Sequence, residues 1–286
     1  MLFLLGSVLK AGGFRRGGTK RKSSRSKRWS RSAQTLFASW AVIGQMGAIG
    51  VLVGEALEPL PLRAEGPQSV EGGTATGEGA FAIGFSAIAN GVNSTAVGAE
   101  AKALANRTTV MGVGATASTN SAVAIGFLAT SSGYRSQALG AYANATQNAS
   151  SAFGYEAQAL GNRSLALGSF ANASENAAIA IGVSANATGL QSLALGVRSN
   201  ATAQQSTAVG YESQASGPRA TAVGVFANAS AGNALAIGSE AVASKINATA
   251  LGTTANASGK YASAFGTAAN ASGLASMAFG AGSIAN

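Results

Sequence analysis

Few side chains in this sequence could do chemistry. Its 286 residues include no His, no Cys and no Asp. A Ser–His–Asp triad, a Cys–His pair and a metal cluster are therefore excluded on residue types alone. Glutamate is the remaining acid. From residue 80 onward it stands at Glu100, Glu156, Glu175, Glu212 and Glu240. Four of these (Glu100, Glu156, Glu212 and Glu240) fall two residues after a recurrent glycine. They share one position of a repeat and read as a solvated rim. A carboxylate pair able to cleave a glycoside is the sharper alternative, and the repeat context speaks against it. Calcium-binding β-roll nonapeptides need Asp. The sequence thus reads as a non-enzyme without cofactor or metal.

The element that positions these side chains is a column of fifteen glycines, from Gly84 and Gly98 to Gly266 and Gly280, each 14 residues after the last. A fixed short period of this kind marks a solenoid. The residue before each glycine is large and apolar: Ile83, Val97, Met111, Ile125, Leu139, Phe153, Leu167, Ile181, Leu195, Val209, Val223, Ile237, Leu251, Phe265 and Phe279. Two before the glycine stands Ala, except for Val110 in the third repeat. Three and five after it stand only Ala or Ser. Runs such as Ser192-Leu193-Ala194-Leu195-Gly196 alternate with period two, a strand signal. Ala185-Asn186-Ala187 gives a second, shorter strand, and Gly161-Asn162 and Ser216-Gly217-Pro218 are turn signals. One rung is then two short strands and two turns, and the fold class is an all-β parallel β-roll solenoid of 14-residue rungs.

Parity assigns the faces. A 14-residue coil encloses a thin space, so Ala, Ser and Gly are placed inside. The column before the glycine lies outside, helped by residues two earlier such as Phe81, Val123, Leu165, Ile179, Leu193 and Leu235. With rungs ~4.8 Å apart, fifteen of them make an apolar strip roughly 70 Å long, and an exposed strip of that size marks an interface. Covering it by self-association is the simplest solution, which makes these fifteen residues the expected trimer interface. The alternative is that they fill an ordinary monomeric core.

Other recurrent side chains decorate this frame. Arg107, Arg135, Arg163 and Arg219 share a position five before the glycine. With Lys102, Arg198, Lys245 and Lys260 they leave the repeats mildly basic. Phe127, Tyr134, Tyr142, Tyr155, Phe170, Tyr211 and Phe226 fall near the glycine or in turns and read as scattered surface decoration, although such residues are favoured at interaction hot spots. Twelve Asn-x-Ser/Thr sequons occur. Seven (Asn144, Asn172, Asn186, Asn200, Asn228, Asn256 and Asn270) stand four after the glycine. They read as the repeat's turn into its next strand, with N-glycosylation or hydrogen-bonded Asn ladders as alternatives. A passive structural spacer without a dedicated ligand is a second function class, and an ice- or glycan-binding solenoid a third.

The net charge of +9 belongs to residues 1–31, which hold ten Lys/Arg and no acid and leave a net of −1 for everything after. Residues 32–56 form an apolar segment, with Leu36, Phe37, Trp40, Ile43, Met46, Val51 and Leu52. Basic, apolar, then small is the layout of an export signal, with candidate cleavage after Ala56 or Ala64. A retained membrane anchor is the rival reading. Nucleic-acid binding by the basic run is set aside on this layout. Residues 57–79, with Pro59, Pro61, Pro67 and Gly72-Gly73, read as a linker or irregular cap. The repeats of 80–286 run to the last residue, so the chain is expected to be truncated.

Residues 80–286 resemble the head domain of the YadA-like trimeric autotransporter adhesins of Gram-negative bacteria. The resemblance rests on Ala122-Val123-Ala124-Ile125-Gly126, Ala178-Ile179-Ala180-Ile181-Gly182, Thr207-Ala208-Val209-Gly210 and Ala234-Leu235-Ala236-Ile237-Gly238, each followed by Ala/Ser-x-Ala/Ser. It implies a left-handed roll and lateral association of three rolls along an aliphatic face. It also implies export to the cell surface or outer membrane. The implied function is adhesion to host matrix proteins such as collagen or fibronectin, or autoagglutination, hence a role in virulence. The neck, coiled-coil stalk and C-terminal anchor that follow a head in that family are not matched here. Membrane contact is then expected only through the signal segment or a missing anchor.

Overall fold

A computed structural model describes residues 66–286. The basic and apolar segments of the first 65 residues, with their signal and cleavage readings, lie outside the described residues. Each turn of the chain lays down one three-residue strand and one two-residue strand. The first turn carries β1 (Gln68–Val70) and β2 (Thr74–Ala75), the second β3 (Phe81–Ile83) and β4 (Ile88–Ala89). The pattern continues to β31 (Met277–Phe279) and β32 (Ile284–Ala285). Odd-numbered strands stack into one 16-stranded sheet and even-numbered strands into a second. Every pairing is parallel and, from β3 onward, offset by one repeat, as in Ile181 against Leu195 and Asn186 against Asn200. The chain is thus an all-β parallel solenoid of about sixteen turns, and no helix occurs among the described residues.

The solenoid begins one turn before the glycine register. Residues 68–79, placed by the sequence in the linker or cap, form this first turn. Gln68 pairs with Phe81 whereas Thr74 pairs with Ile88, so the corner between β1 and β2 is one residue shorter than its successors. Glu71-Gly72-Gly73 makes that corner, with Glu71 and Gly72 at positive φ.

The interior holds almost nothing larger than alanine. Ala82, Ala87 and Ala89, and their counterparts in later rungs such as Ala180, Ala185 and Ala187, are fully buried. Val110 is the largest fully buried side chain. Serine replaces alanine where its hydroxyl can turn back onto a corner carbonyl: Ser136 donates to the Gly133 oxygen at 2.6 Å and Ser164 to the Gly161 oxygen at 2.7 Å. A buried hydroxyl satisfied in this way avoids the cost of an orphaned polar group. Ser94 Oγ lacks such a partner.

Two corners close each rung, and both are left-handed. The second residue after the glycine and the fifth before it have φ near +55°, including Leu128, Tyr142, Phe170, Phe226 and Thr254. L-residues enter this region at about 1–2 kcal/mol each. The corners are held because their N–H groups stay in the ladder: Glu156 N–H donates to the Ala141 oxygen and Arg163 N–H to the Asn148 oxygen, both at 2.9 Å. The recurrent glycine meets a harder limit. Gly154 sits at φ +136°, and a Cβ there would lie 2.6 Å from the carbonyl oxygen of Gly168 in the next rung. Torsion and close approach together exclude any side chain.

Gly154→Ala is therefore expected to cost about 2–3 kcal/mol, read as a lowered midpoint in denaturant unfolding followed by circular dichroism. Thr254→Asn, which moves a β-branched residue out of a left-handed corner in favour of one that tolerates it, is expected to raise stability by about 0.5–1 kcal/mol in the same assay.

Candidate functional site

Because the interior admits only small side chains, the large ones among the described residues are displayed, Val110 excepted. The first sheet exposes two ranks, one on each side of a buried alanine. In the strand Ile179–Ile181, Ala180 is buried and both isoleucines are half-exposed. All fifteen residues before the glycine stand on this outer face, in register from Ile83 beside Val97 to Phe265 beside Phe279. They do not fill a monomeric core. Met111, Leu167 and Leu195 are 46%, 43% and 39% exposed, while Ile125, Leu139 and Ile181 are half-buried by their neighbours in the column. The face assignment from parity holds, and the column is a continuous apolar rank over fifteen rungs.

The corner after the glycine forms a first edge. Its aromatic residues, read from the sequence as scattered, meet one another. Phe127 packs edge-on against Tyr142 (centroids 5.3 Å apart), Tyr142 against Tyr155 (5.9 Å) and Tyr155 against Phe170 (5.3 Å). Tyr211 and Phe226 repeat the contact at 5.4 Å. T-shaped pairs of this kind are each worth about 0.5–1.5 kcal/mol beyond area burial. The signal was present in the sequence but split between two positions: Phe127, Tyr155 and Tyr211 stand one after the glycine, Tyr142, Phe170 and Phe226 two after it. Along the same edge Arg198 bonds Glu212 at 3.0 Å. That hydrogen bond, with the Tyr211 hydroxyl second, holds the Glu212 carboxyl below its ordinary range. Its stabilising effect is present at neutral pH and fades as acid protonates Glu212, and for so exposed a pair it is small. Tyr155 is raised, first by its hydrogen bond with Glu156.

The corner before the next first-sheet strand forms the opposite edge. Arg107, Arg135, Arg163 and Arg219 lie there, all at left-handed φ, beside Lys245 and Lys260. Asparagine amides cap its backbone: Asn106 Oδ1 accepts from Val92 N–H at 2.9 Å and Asn120 Oδ1 from Asn106 N–H at 3.1 Å. Arg107, Asn120 and Tyr134 line a polar hollow of about 290 Å³ on this edge.

The second sheet presents the asparagines. Asn172 Nδ2 donates to Asn186 Oδ1 at 3.1 Å, and Asn186 to Asn200 at 3.0 Å. Asn256 and Asn270 form a further step at 3.4 Å. Seven of the sequons thus lie in regular strand, with their asparagines on the outer face. No group of three His, Cys, Asp or Glu side chains able to hold a metal occurs among the described residues, and no helix there is long and apolar enough to cross a membrane.

These features are outward-facing and repeated. They suit lateral contact with a large surface rather than the enclosure of a small molecule. No curated protein matches the chain. A family model described as the YadA head domain repeat matches it over residues 75–101, 103–129, 131–213 in overlapping copies, 215–241 and 243–283. Each match spans about two rungs, and together they cover most of the sequence. The register of buried alanines, corner glycines and outer aliphatic residues is thus that of a known repeat, and the chain belongs to the YadA head-domain family.

Proposed function

We propose that the chain is the non-enzymatic head of a homotrimeric cell-surface adhesin of a Gram-negative bacterium. In this reading three rolls cover the outer face of the first sheet, and the remaining faces meet host matrix proteins such as collagen or fibronectin, or another cell's adhesins in autoagglutination. The observation that carries the reading is the column from Ile83 to Phe279: an in-register rank of half-exposed aliphatic and aromatic side chains over fifteen rungs, in a chain of an adhesin-type family. Covering each such side chain is worth up to ~1.5–3 kcal/mol, discounted by what its column neighbours already bury. Residues 32–56 supply the export signal in this account. Repetition gives the adhesive surface its strength, since many modest contacts along one rod act as one multivalent site.

Light scattering of the full chain is expected to give three times the protomer mass. Leu167→Asp combined with Leu195→Asp, which charges the column without touching the alanine interior, is expected to give a β-rich monomer. In solid-phase assays the trimer is expected to bind immobilised collagen or fibronectin saturably, or to clump cells that display it. A trimer that does neither is a passive spacer, and the adhesive part of the reading then fails.

A further inference from the structure

In three rungs the two edges of the roll carry opposite charges, while Arg135 and Arg198 stand opposite the uncharged Leu128 and Gln205. Glu156 and Arg163 stand on either side of the strand Gln158–Ala159, one on the edge after the glycine and the other on the opposite edge. Glu100 and Arg107 flank Lys102–Ala103 in the same way, and Glu212 and Arg219 flank Gln214–Ala215. The three pairs recur at intervals of four rungs. In the fourth rung with an edge glutamate, Glu240 faces away from Lys245 on the opposite corner. From Gly84 onward no rung carries like charges at these two positions. In two further rungs a large residue faces a small one at the left-handed corner positions: Tyr142 with Ala149 and Phe170 with Ala177.

This matching has no use inside one roll. The members of each pair lie on opposite corners, separated by the strand between them. The ion pair Arg198–Glu212 joins neighbouring rungs of one edge, and among the described residues no ion pair joins the two edges. The matched partner must come from outside the chain, and the same sequence supplies it. With the first sheets of several copies facing a common axis parallel to the stack, the first edge of one copy meets the second edge of the next. A pure rotation keeps each rung at its own height. Glu100, Glu156 and Glu212 then meet Arg107, Arg163 and Arg219 of the next copy in the same rungs, while Tyr142 and Phe170 come level with Ala149 and Ala177. Sliding by one rung loses all three charge rows, and an antiparallel neighbour brings like edges together.

The geometry points to the two edges as a head-to-tail interface between parallel copies of this chain, with the Glu–Arg rows fixing direction and rung register. The inference rests on the self-association proposed above and adds its register device. An interface that joins two different patches closes into a ring only when every copy is turned alike, so the edges supply the direction that a uniform apolar column lacks.

The test uses the full chain with Glu100→Arg, Glu156→Arg and Glu212→Arg together, with Arg107→Glu, Arg163→Glu and Arg219→Glu together, and with all six exchanged. The concentration at which the oligomer dissociates is read by sedimentation at low and high salt. Circular dichroism checks that each roll is folded. Each triple variant is expected to dissociate at a concentration at least about tenfold higher at low salt, with the loss reduced by screening at high salt. The six-fold exchange is expected to restore association. A milder set, Glu100→Gln, Glu156→Gln and Glu212→Gln, keeps the test open if a reversal does not fold, and is expected to flatten the salt dependence. Triple variants that associate like the parent, or a six-fold exchange that stays as weak as the triples, overturn the edge pairing while leaving the apolar column as the interface. A parent chain that is monomeric at every concentration overturns the self-association itself.

Discussion

The close stacking of backbone on backbone at the glycine column governs the rest of the structure. Each corner glycine lies against the carbonyl of the glycine one rung on, and the two sheets it joins are so near that alanine fills the space between them. Val110 shows the limit of what fits. An interior of methyl groups removes little apolar area per residue from water, at ~0.8 kcal/mol per buried carbon. The parallel ladders satisfy the backbone but contribute modest net stability for each bond. The large apolar side chains, which in an ordinary domain would supply the core, stand on the outer face and the edges, Val110 excepted.

That inversion explains how much could be read before any coordinates. Period, strand count per rung, buried alanines and the outward column all follow from fourteen positions repeated without insertion. Ala180 and Ile181 cannot share a face of one strand. The structure puts inside the position that holds no large residue except Val110. The features that were missed are those in which the period is broken or split. The turn of residues 68–79 was hidden because its corner, Glu71-Gly72-Gly73, lacks one residue and the reference glycine. The aromatic ladder was hidden because its rings alternate between two positions of the corner, so no single column shows them. Tyr142 and Tyr155 are 13 apart in sequence yet touch. The asparagine column was visible, but only geometry shows which amides are close enough to bond: Asn172, Asn186 and Asn200 stand in consecutive rungs.

Function follows from display rather than enclosure. The first sheet offers a long apolar rank, the two edges offer opposite charges, and the second sheet offers amides and hydroxyls. In the proposed assembly the outer apolar face of the first sheet becomes a core shared between copies, and the charged edges of neighbouring copies meet. The same linear repetition that makes a rung easy to recognise makes the surface multivalent. Adhesion through many weak contacts is the natural use of such a rod.

The central claim is that the missing core lies between chains. It is tested most directly by thermal unfolding of the full chain across a hundredfold range of protein concentration. If the apolar column is buried between copies, folding and association are linked, and the midpoint must rise with concentration. A cooperative transition of the β signal at one temperature over the whole range, from a species of protomer mass, would contradict it. The alanine interior and its hydrogen-bond ladders would then be holding the roll together alone.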